Sequence, residues 1–313
     1  MNKTRMVTEG AFMLAIFTVL LLVSLYIPIM WILSSLFLIL PFLLYSAKYP
    51  VKYSFLLIIG SVAISAIVGS LVSVPLALSY STTGVVMGSL IRKKYGKLSI
   101  YMAGSLVFLA NLIVQYVVSI LFFNINFISD FSRMFEESFA QSIHMMERLG
   151  QPVPEQMERQ FTETLDYIQA IMPSLLVMVS FFLVLLFILV NFPILKRLGV
   201  QVQQWKPFKE WQLPKSILWY YLLTIVAALI LPPERGTTWY IAFVNLSFML
   251  QILLFIQGLS FIYFYADIKK WPKALPIFLT IFSILFSPFL YVVRILGIID
   301  LGFNLRQRLN QKP

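Results

Sequence analysis

Asn111 and Gln115 stand four residues apart inside an apolar run from Leu98 to Phe123, with Tyr116 beside them and Ser119 one turn further on. Side chains four apart share one face of a helix. An amide in an apolar setting needs hydrogen-bond partners. Such a face either bonds to neighbouring helices or lines a polar cavity able to hold a small ligand. Tyr80 lies in Ser79-Tyr80-Ser81-Thr82-Thr83, the most polar stretch within any apolar run, and marks a hinge or an opposing cavity wall. Asn191, Asn245, Gln251 and Gln257 pose the same alternative one at a time. Asn111, Gln115, Tyr116 and Tyr80 are therefore the candidate ligand-binding residues.

Most other chemistry is excluded by what is missing. There is no cysteine, so thiol redox chemistry, thiolate metal sites and disulfides are out. The single histidine, His144, has no second histidine with which to bind zinc, and no H-E-x-x-H exists. Gly96-Lys97-Leu98-Ser99 lacks the preceding glycine that a phosphate-cradling loop requires. A membrane enzyme acting on lipid-linked substrates would need a catalytic constellation that is not found. The chain reads as a non-enzyme without cofactor or metal. Proton- and ion-coupled carriers place carboxylates or histidine within the membrane. Here Arg294 and Asp300 come nearest, at the end of the last apolar segment, and are expected to pair and lock it.

The elements that position these groups follow from composition. The 313 residues are 60% hydrophobic and only 12% charged, against about a quarter charged in soluble domains. No soluble core of this size hides that much apolar surface. A bilayer core of about 30 Å takes roughly 20 apolar residues as helix. Spans are predicted near 10–27, 29–47, 53–73, 75–91, 98–123, 171–192, 216–231, 239–265 and 274–293. Pro28 and Pro75 fall at turns between spans, whereas Pro41 and Pro288 fall inside spans and should kink them. The fold class is all-α: a polytopic membrane protein of eight to nine spans. The net charge of +11 sits in short loops between apolar runs, which reads as membrane orientation rather than nucleic-acid binding.

Arg92, Lys93, Lys94 and Lys97, the lysines and arginine of 196–215, and Lys269, Lys270 and Lys273 all fall on the side of the N-terminus, with Lys3, Arg5, Lys48 and Lys52. The short loops of the other side carry one cation, Arg235. The positive-inside rule makes the N-terminus cytoplasmic. Arg306, Arg308 and Lys312 are inside with eight spans and outside with nine; Pro288, Arg294 and Asp300 allow the last segment to be a re-entrant pair. All six tryptophans lie at span ends or in adjacent loops, as an aromatic belt requires. Residues 124–170 differ, with eight acids against Arg133, Arg148 and Arg159. Phe131, Phe135, Phe139, Ile143 and Met146 recur at helical spacing, Gly150 suits a C-cap, and Pro154 suits the first turn of a second helix bearing Met157, Phe161, Leu165 and Ile168. An external amphipathic helical hairpin is expected, as a solvated cap or as a lid. The inner loop 196–215 interleaves Lys196, Arg197, Lys206 and Lys209 with Trp205, Phe208 and Trp211, which suits anionic lipid or a docked partner.

Small residues four apart let membrane helices approach closely. Ala11 and Ala15 do so in the first span, Gly84 and Gly88 in Gly84-Val85-Val86-Met87-Gly88, and Ser61, Ser65 and Gly69 in the third. Thr8-Glu9-Gly10-Ala11-Phe12-Met13-Leu14-Ala15, the paired short spans and the fourth span ending in Arg92-Lys93-Lys94 resemble the substrate-binding S components of energy-coupling factor transporters. That resemblance implies that Ala11 and Ala15 pack on an energy-coupling transmembrane subunit served by separate ATPases, and that the first six spans hold a small solute. Two features depart from that pattern: the extra spans after residue 192 and the insertion at 124–170. Over its whole length, with Leu296-Gly297-Ile298-Ile299-Asp300 and then Asn304-Leu305-Arg306, the chain resembles the YybS-like family of uncharacterised bacterial membrane proteins. The expected domains are 1–192, six helices with the 124–170 insertion, and 193–313, a bundle of two to three helices. The expected location is the bacterial cell membrane, in contact with lipid. Two functions remain open: an S-component-like carrier of a small solute, or a non-transporting scaffold or regulator recruiting partners through loops 92–97 and 196–215.

Overall fold

A computed structural model describes residues 3–150, 154–203 and 205–310. Among them every regular element is helical: Lys3–Tyr26 (α1), Met30–Phe37 (α2), Leu40–Lys48 (α3), Val51–Gly69 (α4), Val74–Arg92 (α5), Lys97–Phe123 (α6), Phe127–Arg148 (α7), Glu155–Arg197 (α8), Ser216–Ile230 (α9), Thr238–Ile268 (α10), Ala274–Leu285 (α11), Ser287–Phe303 (α12) and Leu305–Asn310 (α13). Seven helical segments are long and apolar enough to cross a membrane, or eight if α11 and α12 count as one bent span. α9 is apolar but has only 15 residues.

The prolines act one step earlier than a simple kink. Pro41 and Pro288 each occupy the first turn of a new helix, α3 and α12, and the preceding helix has already ended. Proline has no N–H to give, which costs nothing in a first turn, and it disfavours helical geometry in the residue before it. The second span is thus two helices broken at Leu38-Ile39. α11 and α12 bend by 119° at Phe286.

Segment 124–170 forms helices at both expected places. α7 ends before Gly150, which adopts φ +72°. Asn126 caps the start of α7 by accepting from the N–H groups of Ile128 and Ser129. Pro154 immediately precedes α8. The second helix is not separate, however: it continues unbroken into the span at 171–192, giving the 43 residues of α8. No turn-forming stretch separates polar from apolar sequence there.

The chain divides into two compact units, 1–149 with 175–205, and 150–174 with 206–313. The division falls at Trp205 rather than at 192, and 150–174 goes with the C-terminal bundle. In the first unit α5 is central, packed against α3, α4 and α6, while α1 covers α2 and α4. Its core gathers Phe17, Leu21, Phe42, Met87, Phe108, Phe187 and Ile188, all buried. Gly84 and Gly88 lie against α3: a methyl group on Gly84 would come within 2.7 Å of Phe42 Cβ, and one on Gly88 within 2.6 Å of the Leu43 carbonyl. That glycine pair serves a crossing inside the chain. Ser61 and Ser65 are fully buried and return their hydroxyls to the backbone at Ile58 and Val62. Outward positions are apolar instead, with Ile67 84% and Phe122 76% exposed. This is how a chain looks when its solvent is lipid.

In the second unit α10 carries the packing, against α9, α11 and α12. Gly258 and Gly297 bring α10 and α12 into backbone contact. A methyl on Gly258 would overlap the Val293 carbonyl, and one on Gly297 the Leu254 carbonyl.

Candidate functional site

The four expected ligand residues do not surround one cavity. The Asn111 amide donates to Thr82 Oγ1 at 3.0 Å and to the Val107 carbonyl at 2.8 Å. Gln115 donates to Ser79 Oγ at 2.6 Å and to the Pro75 carbonyl at 3.0 Å. Both therefore fasten α6 to α5. The Pro75 carbonyl lies in the first turn of its helix, and Ser79 one turn on, so Gln115 grips the polar stretch from one end. Tyr116 turns towards α7 and donates to Asn126 Oδ1 at 3.3 Å. Tyr80 is buried in an aromatic cluster, its ring 5.3 Å from Phe187 and 6.2 Å from Phe108. Asn191 is fully buried and donates to the Leu36 carbonyl at 2.9 Å. That carbonyl is in the last turn of α2, where the break leaves acceptors without helical donors. Ala11 and Ala15 are exposed on the open face of α1.

A cavity does form where the two basic loops meet. It has a volume of about 430 Å³ and is walled by Ile91, Lys94, Tyr95 and Ile100 on one side and by Lys196 and Gly199–Gln203 on the other. The turn between α5 and α6 builds the first wall, with Lys94 at φ +60° reversing the chain. Gly199, at φ +83°, ends α8 and sends residues 200–203 back past that turn. Gln203 ties the walls together by donating to the Lys94 carbonyl at 3.4 Å. The Lys97 ammonium, at the start of α6, lies 5.2 Å from the Phe192 ring and 5.0 Å from that of Trp205. Trp205 packs edge-on against Tyr101. Sequence spacing marked both loops as basic but gave no sign that they share a cavity, since about a hundred residues separate them.

The second unit holds a buried polar network that sequence reading missed in its pairing. Asp300 bonds to Arg306 at 2.9 Å and accepts from Gln257, not Arg294. Arg294 and Asp300 are six residues apart, about 240° around a helix, so they cannot face each other. Arg306 reaches Asp300 because Asn304 takes a left-handed conformation, φ +50°, and turns α13 back. The Arg294 guanidinium lies instead over the Tyr291 ring at 5.1 Å. Arg306 also donates to the Lys209 carbonyl and to Ser260. Ser260 donates to the Phe208 and Trp211 carbonyls, and Gln257 accepts from the Leu213 N–H. The end of α12 is thereby fastened to the loop before α9, beside the Lys209–Asp267 pair at 2.6 Å. Lys312 lies outside the described residues. Near the start of α8, before its apolar stretch, Glu163 pairs with Arg235 at 3.1 Å, and that guanidinium holds the carboxyl below the ordinary glutamate range. His144 meets Glu147 at 3.3 Å, and both are exposed. Among the described residues no three His, Asp or Glu side chains gather as a metal site would need.

A helical chain with seven or eight apolar segments long enough to cross a membrane, buried serines and many exposed large apolar side chains is a multi-pass integral membrane protein. It belongs to the family described as predicted membrane protein DUF2232, whose model matches residues 15–301. It is 31% identical over 313 residues to the uncharacterized protein YybS of Bacillus subtilis (strain 168), with 98% of this chain and 99% of that one covered. No solved structure matches it.

Proposed function

We propose that this protein is a non-enzymatic, non-transporting membrane scaffold or regulator of the bacterial cell membrane that recruits a partner through its basic face. One observation carries the reading: loops 92–97 and 196–203 converge on a shared cavity. By contrast, Asn111 and Gln115 commit their amide donors to helix packing. The excess of Lys and Arg makes this face cytoplasmic, and the N-terminus lies on the same side. On the same rule Arg306 and Arg308 belong to the cytoplasmic side, which the 119° bend between α11 and α12 allows. Site-specific photo-crosslinking in cells tests the reading. Probes replacing Tyr95 and Gln201 should give a discrete adduct that is lost when Arg92 and Lys93 are changed to Glu. Adducts no different from those of a probe at the lipid-facing Ile67 would sink it.

A second reading has its own support. Ala11 and Ala15 stand exposed on one face of α1, as the resemblance to S components implies for helices that meet a coupling subunit. In that case the protein is a solute-binding component energised by separate ATPases. Copurification of a coupling subunit with the native chain, abolished by Ala11→Trp with Ala15→Trp, would favour it. Copurification unaffected by those changes would remove it.

A further inference from the structure

We infer that the cavity between residues 91–100 and 196–203 binds a phosphate-bearing anion, with the headgroup of an acidic phospholipid as the source its setting favours. This rests on the proposal above that the basic loops are the working face. Charge is the first argument. Lys94 and Lys196 line the cavity, and Arg92, Lys93, Lys97 and Arg197 lie within three residues of them. The sequence has no Asp or Glu from Gly10 to Ser129, nor from Tyr167 to Lys209, so neither wall carries a carboxylate.

Several cations elsewhere in the protein meet a carboxylate. Arg5 and Lys48 meet Glu9, Lys209 meets Asp267, Arg235 meets Glu163, and Arg306 meets Asp300. Among the described residues neither Lys94 nor Lys196 forms an ion pair. Like charges gathered around one concavity raise the local concentration of anions. Gln201 and Tyr95, which carry neutral donors suited to the same ligand, line the cavity beside the lysines. Lysine binds phosphate as a mobile point charge, while amides and hydroxyls give direction.

Size and depth choose among anions. A volume of about 430 Å³ lies at the small end of the roughly 300–1,000 Å³ typical of small-molecule pockets, and suits a headgroup or a small phosphate ester. The inner wall is apolar, with Ile91 and Ile100 buried. Tyr101 and Trp205, which follow the two walls by one and two residues, pack against each other, and such residues collect at the headgroup level of a bilayer. A headgroup reaches this depth without leaving its membrane.

The test uses the full-length chain in nanodiscs of phosphatidylcholine alone or with phosphatidylglycerol, with bound lipid counted by native mass spectrometry after detergent release. Retention of one phosphatidylglycerol is expected. It should fall about tenfold in the double variant Lys94→Ala, Lys196→Ala, stay unchanged in Lys52→Ala, and return with Lys94→Arg, Lys196→Arg. The arginine variant separates lost binding from lost folding. A parallel arm adds inorganic phosphate or sn-glycerol 3-phosphate to the protein in phosphatidylcholine. A melting shift there that disappears in the alanine variant, without phosphatidylglycerol retention, supports the phosphate site and assigns it a soluble ligand. Equal loss of lipid from the Lys52 and Lys94/Lys196 variants, or no binding in either arm, overturns the inference. Persistence of the Tyr95 and Gln201 crosslinks in that case leaves partner recruitment standing. Lipid retention without a crosslinked partner has the opposite meaning.

Discussion

The side chain of Asn245 is spliced into the backbone of α8 beside Pro173. The Ser174 N–H donates to Asn245 Oδ1 at 2.9 Å, and Asn245 Nδ2 donates to the Ala170 carbonyl at 2.6 Å. Residues 170 and 174 would bond to each other in an unbroken helix. Proline inside a helix disturbs that ladder, and in a membrane the freed groups must be satisfied by a neighbour. Ser174 Oγ adds a bond to the Asn245 carbonyl at 3.1 Å, so the joint is held by three contacts.

Replacing Asn245 with Leu should lower stability by about 1–3 kcal/mol, the cost of stranding buried polar groups. In a Pro173→Ala background the helix can close its own ladder, and the same replacement should cost less. A double-mutant cycle read by thermal unfolding in detergent checks this; equal costs in the two backgrounds would show that the splice and the proline are unrelated.

Removing Arg306 alone should be among the most damaging single changes in the C-terminal bundle. Asp300 is fully buried, and stranding one member of a buried pair costs about 3–5 kcal/mol. Arg306→Met combined with Asp300→Leu should recover much of that loss. A double variant worse than Arg306→Met would show that the network does more than pair two charges.

Gly297→Ala should destabilise even though alanine is the better helix former. The added methyl meets the Leu254 carbonyl, which is backbone and cannot swing aside. Overpacking of this kind costs about 1–3 kcal/mol. Gly302→Ala is the control, because its nearest neighbour is Leu218 Cδ2 at 3.5 Å, an ordinary contact. Melting temperatures of the two variants decide the point.

Asn111→Leu and Gln115→Leu should each cost stability. Interhelical side-chain bonds in membrane proteins contribute about 0.6 kcal/mol on average and about 1.7 at most. The α5–α6 junction should loosen, visible as faster amide exchange near Ser79. Intact stability with lost solute binding would instead favour the carrier reading.

The Glu163–Arg235 pair gives stability a pH dependence of known sign. The folded carboxyl lies below its ordinary range because Arg235 bonds to it. Its contribution is present above the ordinary glutamate range and disappears as pH falls through the lowered folded value. Glu163→Gln should therefore narrow the gap between melting temperatures at neutral and acid pH. Because the pair is exposed, the effect is small and should shrink with added salt.

Local composition was enough to locate the spans. Every expected span became helix, because apolar length against bilayer thickness is a one-dimensional property, but α8 begins at Glu155 rather than 171 and α12 runs on to Phe303 rather than 293. The Gly150 cap and the start of α8 just after Pro154 were readable for the same reason: they concern a chain and its next few residues. Amides within apolar runs also had to find partners, whichever those were.

Partner identity was a different matter, and only the tertiary structure decided it. Gln115 facing Ser79, Asn245 entering α8 and Asp300 choosing Arg306 over Arg294 depend on which faces meet and on one left-handed residue, Asn304. The continuity of α8 also escaped sequence reading, since the helix runs on through the change of polarity at residue 171, its ladder there completed by Asn245. The two basic loops were each visible, but their meeting around one cavity was not. Charge and hydropathy are written along the chain, whereas a cavity is a relation between segments that the packing of α5, α6 and α8 brings together.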